Sequence, residues 1–249
     1  MQNKIIYGVP FSQPVRAVMW LMLIKKFPFD LKLINPGSSS QGGSRHTEYL
    51  KKFPTGTIPS FEDPETGFVI SESHAIMCYL CNKYEWHDLY PSNPEERAKV
   101  DSYLHLHHRN VREASIGLVA PKVRKDLDFS EDFLKTSRGN IEKAFKAIEN
   151  GWLNNSSFLV GDSMTIADIS AYVEIGQLQS IFTNVYNFDQ YPNIQRWLKD
   201  MRGADYHEEI HIALYELGDI SKKAPLMETI INANKKAFLI IQETLTKMQ

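Results

Sequence analysis

The chain changes character about a third of the way along its length. Strand and helix signals alternate up to about residue 83, and beyond that point apolar residues recur with helical spacing alone. The predicted elements of the first part are, in chain order, strand 4–7, helix 17–24, strand 29–34, helix 47–52, strands 58–63 and 68–70, and a helix that begins at 71. The sequence therefore predicts a small α/β domain followed by an all-helical domain.

The order of the predicted strands and helices limits the possible folds of the first domain. Two βα units followed by ββα are typical of a thioredoxin-like fold, which we place at residues 1–83. A proline-containing linker follows at 84–94, and the helical domain covers 95–249. Its predicted helices are 94–118, 130–153, 165–178, 192–201, 206–215 and 225–246. The third of these begins with a predicted capping box, in which Thr165 caps the helix and Asp168 reaches back to its N–H.

Composition excludes several functional classes. The chain has 28 lysines and arginines against 30 acidic residues, a net charge of −2 that favours neither nucleic acid nor an anionic membrane as partner. No apolar run approaches the roughly 20 residues that span a bilayer. The first residues lack the apolar stretch of a signal peptide, and two cysteines do not make a disulfide framework. We expect a soluble, cytoplasmic protein.

Ser12 lies between the first predicted strand and the helix that follows it. Pro14 favours the first helical position, which makes Gln13 the predicted cap and leaves Ser12 just outside the helix. The unpaired N–H groups and the positive dipole end of this helix would face any anion that the hydroxyl contacts. Ser12 is therefore a candidate binding residue, and an ordinary turn serine is the alternative.

Two further segments carry a similar signal. Glu72 and Ser73 open a helix directly after a predicted strand, and a helix N-terminus can hold a carboxylate. Ile58–Pro59 begins the preceding strand, and its X–Pro bond is a candidate cis peptide that frees the backbone N–H and C=O of Ile58 for a ligand. Together with Ser12, these groups are predicted to line one edge of the sheet.

Other motifs have simpler explanations. Cys78 and Cys81 form a C-x-x-C late in a helix, whereas a redox pair works at a helix N-terminus, so we predict core thiols. His207 and His211 belong to an H-E-x-x-H, but the residues of its longer form do not follow, which leaves Glu228 as the third ligand of a zinc alternative. A further histidine cluster comprises His105, His107 and His108. We predict no metal site.

Four motifs, in this order, resemble those of one family. They are Ser12-Gln13-Pro14-x-Arg16-Ala17, Pro54-x-Gly56-x-Ile58-Pro59, Glu72-Ser73-His74-Ala75-Ile76 and Thr165-Ile166-Ala167-Asp168. Over nearly its whole length the chain resembles a cytosolic glutathione transferase of the theta-like class, which uses serine in place of tyrosine. The resemblance implies a homodimer that binds glutathione as co-substrate on its thioredoxin-like domain and a small electrophile against its helical domain, with no other cofactor.

The resemblance also implies roles for individual residues. Ser12 would donate a hydrogen bond to the glutathione sulfur, with Tyr7 as the alternative. Arg112 would lie near the reacting atoms, with Arg109 as the alternative. The residues implied for glutathione are Arg45, His46, Thr57, Ile58, Pro59, Glu72, Ser73 and Asp101, the last facing the glutathione of a partner subunit. Those implied for the electrophile are Leu104, His108, Ile116 and Val119.

Thr57 departs from the family pattern, because theta members often carry a basic residue there. The glycine carboxylate of glutathione then needs another cation, for which Arg45 and His46 are the candidates. The implied activity is conjugation to small electrophiles, with peroxidase or dehalogenase chemistry as variants. The alternative is a non-catalytic transferase-like module that binds ligands or mediates assembly.

Overall fold

The computed structural model describes residues 2–124 and 127–248. They form two compact units. The N-terminal unit comprises residues 2–85, 205–213 and 234–248, and the helical unit comprises the described residues of 86–204 and 214–233. The sequence prediction assigned every residue from 95 onward to the helical domain, whereas the structure groups 205–213 and 234–248 with the N-terminal unit.

A mixed four-stranded sheet organises the N-terminal unit, in the strand order β2-β1-β3-β4. Its elements are β1 (Lys4–Gly8), α1 (Gln13–Ile24), β2 (Phe29–Leu33), α2 (Thr47–Lys52), β3 (Ser60–Asp63), β4 (Phe68–Ser71) and α3 (Ser73–Lys83). β1 and β2 are parallel, and the pairs β1–β3 and β3–β4 are antiparallel. These directions confirm the predicted thioredoxin-like fold.

Strand β1 is covered on both faces. Successive side chains of a strand point to opposite faces, so Ile5 and Tyr7 share one face and pack with Tyr49 and Phe53 beside α2. Ile6 points to the other face and is fully buried. The apolar run of α1 is buried almost throughout, which explains why its sequence shows no polar stripe.

Trp20 of α1 explains why residues 205–213 belong to the N-terminal unit. Its indole N–H donates to the backbone carbonyl of Asp205 at 2.8 Å. The rings of His207 and His211 pack edge-on against the indole, with centroids 5.9 and 5.3 Å away. Both histidines are buried in this contact.

The helices after α3 are α4 (Pro94–His107), α5 (Ala120–Val123), α6 (Glu131–Ala147), α7 (Ile166–Ile175), α8 (Pro192–Arg202), α9 (His207–Leu217) and α10 (Met227–Met248). The predicted capping box at the start of α7 is present: the Thr165 hydroxyl accepts from Ala167 N, and Asp168 accepts from Thr165 N at 2.9 Å. Over the ranges 2–124 and 127–248, the helices are too short or too polar to cross a membrane.

The helix predicted over 94–118 is interrupted. α4 ends at His107, and a π-helical turn begins at Ala114 and ends at Val119. The interruption turns Arg112 and Ser115 toward the buried carboxylate of Glu174, which both contact. Satisfying that carboxylate inside the helical unit outweighs the regular helical spacing of the sequence.

Candidate active site

Ser12 is the cap residue of α1, with an extended backbone at φ −69° and ψ 125°. The helix therefore begins at Gln13, and the prediction that Gln13 is the cap and Ser12 lies outside it is wrong by one residue. Pro14 takes the second helical position instead of the first. The Ser12 hydroxyl makes no cap bond to the helix. Ser12 is half-buried, and its hydroxyl is a candidate donor to a ligand.

The backbone just before Ser12 is held from two sides. Phe11 N–H donates to the side-chain oxygen Oδ1 of Asn234 at 2.9 Å, and Phe11 C=O accepts from Arg16 Nη1 at 2.6 Å. Arg16 is fully buried. Sequence reasoning singled out neither contact, although Arg16 stands in the first of the four motifs.

Gly8 allows the end of β1 to approach α1 closely. A Cβ atom at this position would lie 2.5 Å from a methyl carbon of Val15, nearer than real Cβ contacts come. The missing side chain therefore sets the separation between the strand end and the helix that Ser12 caps.

The register of the sheet brings the three predicted segments to one end. Tyr7 of β1 pairs with Ser60 of β3, and Ser60 pairs with Ser71 of β4. The hydroxyls of Ser60 and Ser71 are 2.7 Å apart. Since the chain leaves or enters the sheet next to each of these three residues, the Ser12 turn, Ile58–Pro59 and Glu72–Ser73 start from adjacent positions.

Both flanking segments have the local geometry that the sequence predicts. The Ile58–Pro59 bond is cis. Glu72 precedes α3 with a positive φ of 79° and an exposed side chain, and Ser73 is the first residue of α3 and is buried. Tyr49 of α2 braces this end of the sheet, because its hydroxyl donates to Thr57 O at 2.8 Å and contacts Ser60 Oγ at 3.0 Å.

The candidates for the glycine carboxylate lie at the start of α2 and before β3. His46 caps α2, and its Nδ1 accepts from Glu48 N at 3.3 Å. With Nδ1 on the helix, Nε2 is the ring nitrogen of His46 that can contact a ligand. Arg45 is exposed and carries a permanent charge, and Thr57 is exposed beside Thr55.

Tyr7, the alternative to Ser12, is already hydrogen-bonded to a carboxylate. Its ring is buried, and its hydroxyl donates to Glu62 Oε2 at 2.5 Å. Burial and the carboxylate of Glu62 raise the pKa of Tyr7 well above its usual value. Because the hydroxyl already donates to Glu62, Tyr7 is a packed residue on the face that α2 covers, which favours Ser12 over Tyr7 as the candidate donor.

The residues expected from the helical domain lie in different surroundings. Arg112 pairs with the buried carboxylate of Glu174, and its side chain is 30% exposed. Asp101 Oδ1 accepts from the Tyr90 hydroxyl at 2.8 Å. Leu104 and Val119 are buried, Ile116 is half-buried, and His108 and Arg109 are exposed. Leu104 and Val119 thus pack inside the helical unit.

The two alternative motifs are accounted for by packing. Cys78 and Cys81 are not joined in a disulfide and lie in the second half of α3, away from its N-terminus. His211 Nδ1 contacts the carbonyl of His207 at 2.8 Å, and burial lowers the pKa of His211. In the described part of the chain, no three His, Cys, Asp or Glu side chains group as metal ligands.

Comparisons with known proteins show what the chain resembles. The glutathione S-transferase N-terminal domain model matches residues 6–94, and the C-terminal domain model matches residues 110–205. Glutathione S-transferase T3 of Arabidopsis thaliana is 28% identical over 90% of this chain, which spans 39% of that relative. Human glutathione S-transferase theta-1 is 25% identical over 87% of this chain and 91% of its own length. A structure of human glutathione transferase theta-2 in complex with glutathione shares the fold, with a TM-score of 0.74, 22% identity and coverage of 99% of this chain and 100% of that one.

Proposed function

We propose that this chain, which belongs to the glutathione S-transferase family, is a theta-like transferase that couples glutathione to small electrophiles. The observation that carries the proposal is the register that joins Tyr7, Ser60 and Ser71. It supports one site made of a hydroxyl, a free backbone segment and a helix N-terminus. Peroxidase and dehalogenase chemistry would use the same hydroxyl.

Three segments would hold the tripeptide. Ile58 precedes β3, so its N–H and C=O can pair with the backbone of the cysteinyl residue. The N-terminus of α3, with the Ser73 hydroxyl, would bind the γ-glutamyl carboxylate. Glu72 would accept from the γ-glutamyl amino group, and Arg45 would neutralise the glycine carboxylate with His46 as a second donor.

Ser12 would act by stabilising the thiolate, because a serine hydroxyl is far too weak a base to remove the thiol proton. One charge-assisted hydrogen bond contributes about 1.5–3 kcal/mol, and the dipole of α1 adds about 0.3–1 kcal/mol. At about 1.4 kcal/mol per unit, the hydrogen bond alone lowers the pKa of a thiol from about 8.5 by roughly one to two units. The thiol proton then passes to solvent at neutral pH.

The bond-forming step is a nucleophilic attack. In a substitution, the thiolate sulfur forms a bond to the electrophilic carbon while the leaving group departs with the electron pair of the bond that breaks. In a Michael addition, the sulfur bonds to the end carbon of a conjugated double bond, the π electrons move onto the activating group, and the resulting anion takes a proton from solvent. By the resemblance to the family, Arg112 would support the developing negative charge. A cytoplasmic homodimer, in which Asp101 faces the partner's glutathione, completes the proposal.

The test is a titration of bound glutathione by the ultraviolet absorbance of its thiolate, in wild type and in Ser12→Ala. A pKa that is lowered in wild type and returns toward about 8.5 in the variant supports the serine mechanism. Binding without a lowered pKa would point to the non-catalytic module. An absence of binding would contradict the proposed site.

A further inference from the structure

We propose that Asn234 is a positioning residue for the Ser12 hydroxyl, so that α10 is part of the catalytic machinery. The inference rests on the proposed function, since it concerns the hydroxyl that would stabilise the thiolate. Asn234 lies 223 positions after Phe11 along the chain, yet its Oδ1 accepts from Phe11 N–H at 2.9 Å. Phe11 directly precedes Ser12.

The Asn234 contact and the Arg16 contact act on the two sides of one Cα atom. The N–H of Phe11 belongs to the peptide unit before its Cα, and its C=O belongs to the unit that continues into Ser12. Asn234 holds the peptide unit before the Phe11 Cα, and Arg16 holds the peptide unit after it. Together these two hydrogen bonds restrain both backbone dihedrals of Phe11. These dihedrals, together with φ of Ser12, set the direction in which the Ser12 side chain leaves the backbone.

The hydrogen bonds of Arg16 and Asn234 fix Phe11 relative to different helices. Arg16 lies on α1, the helix that Ser12 caps, so its bond fixes Phe11 relative to that helix. Asn234 lies on α10 and fixes the same residue relative to the part of this helix, from Asn234 onward, that belongs to the N-terminal unit. The Ser12 hydroxyl makes no cap bond that would orient it locally. Its position in the unliganded protein therefore depends on the backbone that these two side chains hold.

The packing of α10 does not depend on the Asn234 amide. Ala237, Ile241 and Leu245 are buried at successive four-residue intervals along the second half of this helix. Such a stripe docks a helix by apolar contact. Removing the amide should therefore release the Phe11 N–H while the apolar stripe keeps α10 in place.

The experiment compares three variants with wild type by the thiolate titration, with glutathione affinity and the pH profile of kcat as further readouts. Asn234→Ala removes the acceptor. Asn234→Asp keeps an acceptor oxygen of similar shape. Asn232→Ala removes an exposed amide two residues earlier on the same helix and is the matched control. The thermal midpoint of each variant reports whether it is folded.

In Asn234→Ala we expect the pKa of bound glutathione to rise by about one unit, a tenfold loss of thiolate below that pKa. The rise cannot exceed the rise in Ser12→Ala, because a positioning residue acts only through the group that it positions. At or below the wild-type pKa of bound glutathione, where the thiol form dominates in both complexes, the dissociation constant should change less than twofold. Asn234→Asp should restore most of the shift, and Asn232→Ala should match wild type.

A pKa in folded Asn234→Ala that equals the wild-type value, while Ser12→Ala raises it, would overturn the inference and leave the proposed function standing. An equal rise in Asn232→Ala would also overturn it, because the effect would then belong to α10 in general. If Ser12→Ala itself leaves the pKa unchanged, the proposed function has failed. In that case the inference fails with it.

Discussion

Glu72 is expected to destabilise the fold while serving the ligand, and the substitution Glu72→Gly separates the two effects. The residue has φ 79° and ψ 115°, a region that side chains with a Cβ rarely adopt. Such a residue costs about 1–3 kcal/mol. Glycine relieves this cost but adds about 0.4–1 kcal/mol of conformational entropy to the unfolded chain. We expect a net gain of about 1 kcal/mol in the free energy of unfolding, measured by urea denaturation.

The same substitution should weaken glutathione binding. It removes the carboxylate proposed to accept from the γ-glutamyl amino group. Because the Glu72 side chain is exposed, we use the lower end of the range for charged hydrogen bonds, about 1.5 kcal/mol. This corresponds to a roughly tenfold rise in the dissociation constant, measured by calorimetric titration.

Glu85→Gly is the matched control for both measurements. Glu85 also has a positive φ, 55°, is exposed, and lies after the end of α3, outside the proposed site. The control removes the same charge, and it should stabilise the fold without changing glutathione affinity. If Glu72→Gly unfolds at lower urea than wild type, the argument from backbone strain is refuted. If both variants weaken binding equally, the effect is one of net charge and Glu72 has no direct contact.

Two further predictions concern the sheet that carries the site. Asp63 is buried between Lys4 and Lys83, 2.9 and 2.7 Å from their ammonium groups. Burial opposes its ionisation, but the two ammonium groups outweigh burial and lower the pKa of Asp63 to about 2. Its contribution of about 2 kcal/mol is therefore complete above the pKa of an unfolded Asp, about 4, and is lost as the pH falls from there toward about 2. The free energy of unfolding, measured by denaturation at each pH, should fall by this amount in wild type over that pH range. In Asp63→Asn this part of the fall should be missing. The same pH dependence in both proteins would contradict the assignment. Gly8→Ala places a Cβ 2.5 Å from Val15 and should cost about 1–3 kcal/mol and lower kcat. The double variant Gly8→Ala/Val15→Ala should recover activity, and an equally impaired double variant would show that the clash is not the cause.

The parts of the fold and site that sequence predicts are those encoded locally. The capping box of Thr165 and Asp168 spans four residues, one X–Pro pair marks the candidate cis bond, and Ser12 and Ser73 each lie at a recognisable helix start. The strand pattern also identifies the thioredoxin-like fold. In each case the residues that determine the geometry are neighbours in the chain, so the signal does not depend on tertiary packing.

The parts that sequence does not predict depend on contacts between distant residues. The Asn234 amide is one polar side chain on an amphipathic helix, and nothing within α10 indicates that it accepts from Phe11. The break after His107 requires the partner Glu174, far along the chain. The inclusion of residues 205–213 in the N-terminal unit depends on Trp20, whose apolar surroundings predict burial but not a partner. The spacing of apolar residues predicts which face of a helix is buried, but it does not predict which element packs against that face.

The division between local and distant determinants also bears on the proposed mechanism. Each local motif supplies a group, but a thiolate would be stabilised only where the groups share one site. The register that joins Tyr7, Ser60 and Ser71 brings the three segments to one end of the sheet, as the proposed mechanism requires. A slip of β3 by one residue would reverse the faces of its side chains, exposing Phe61, which is fully buried. The apolar core therefore fixes the register, and the register places Ile58 beside the Ser12 turn. The stability of the sheet and the geometry of the proposed chemistry are thus set by the same residues.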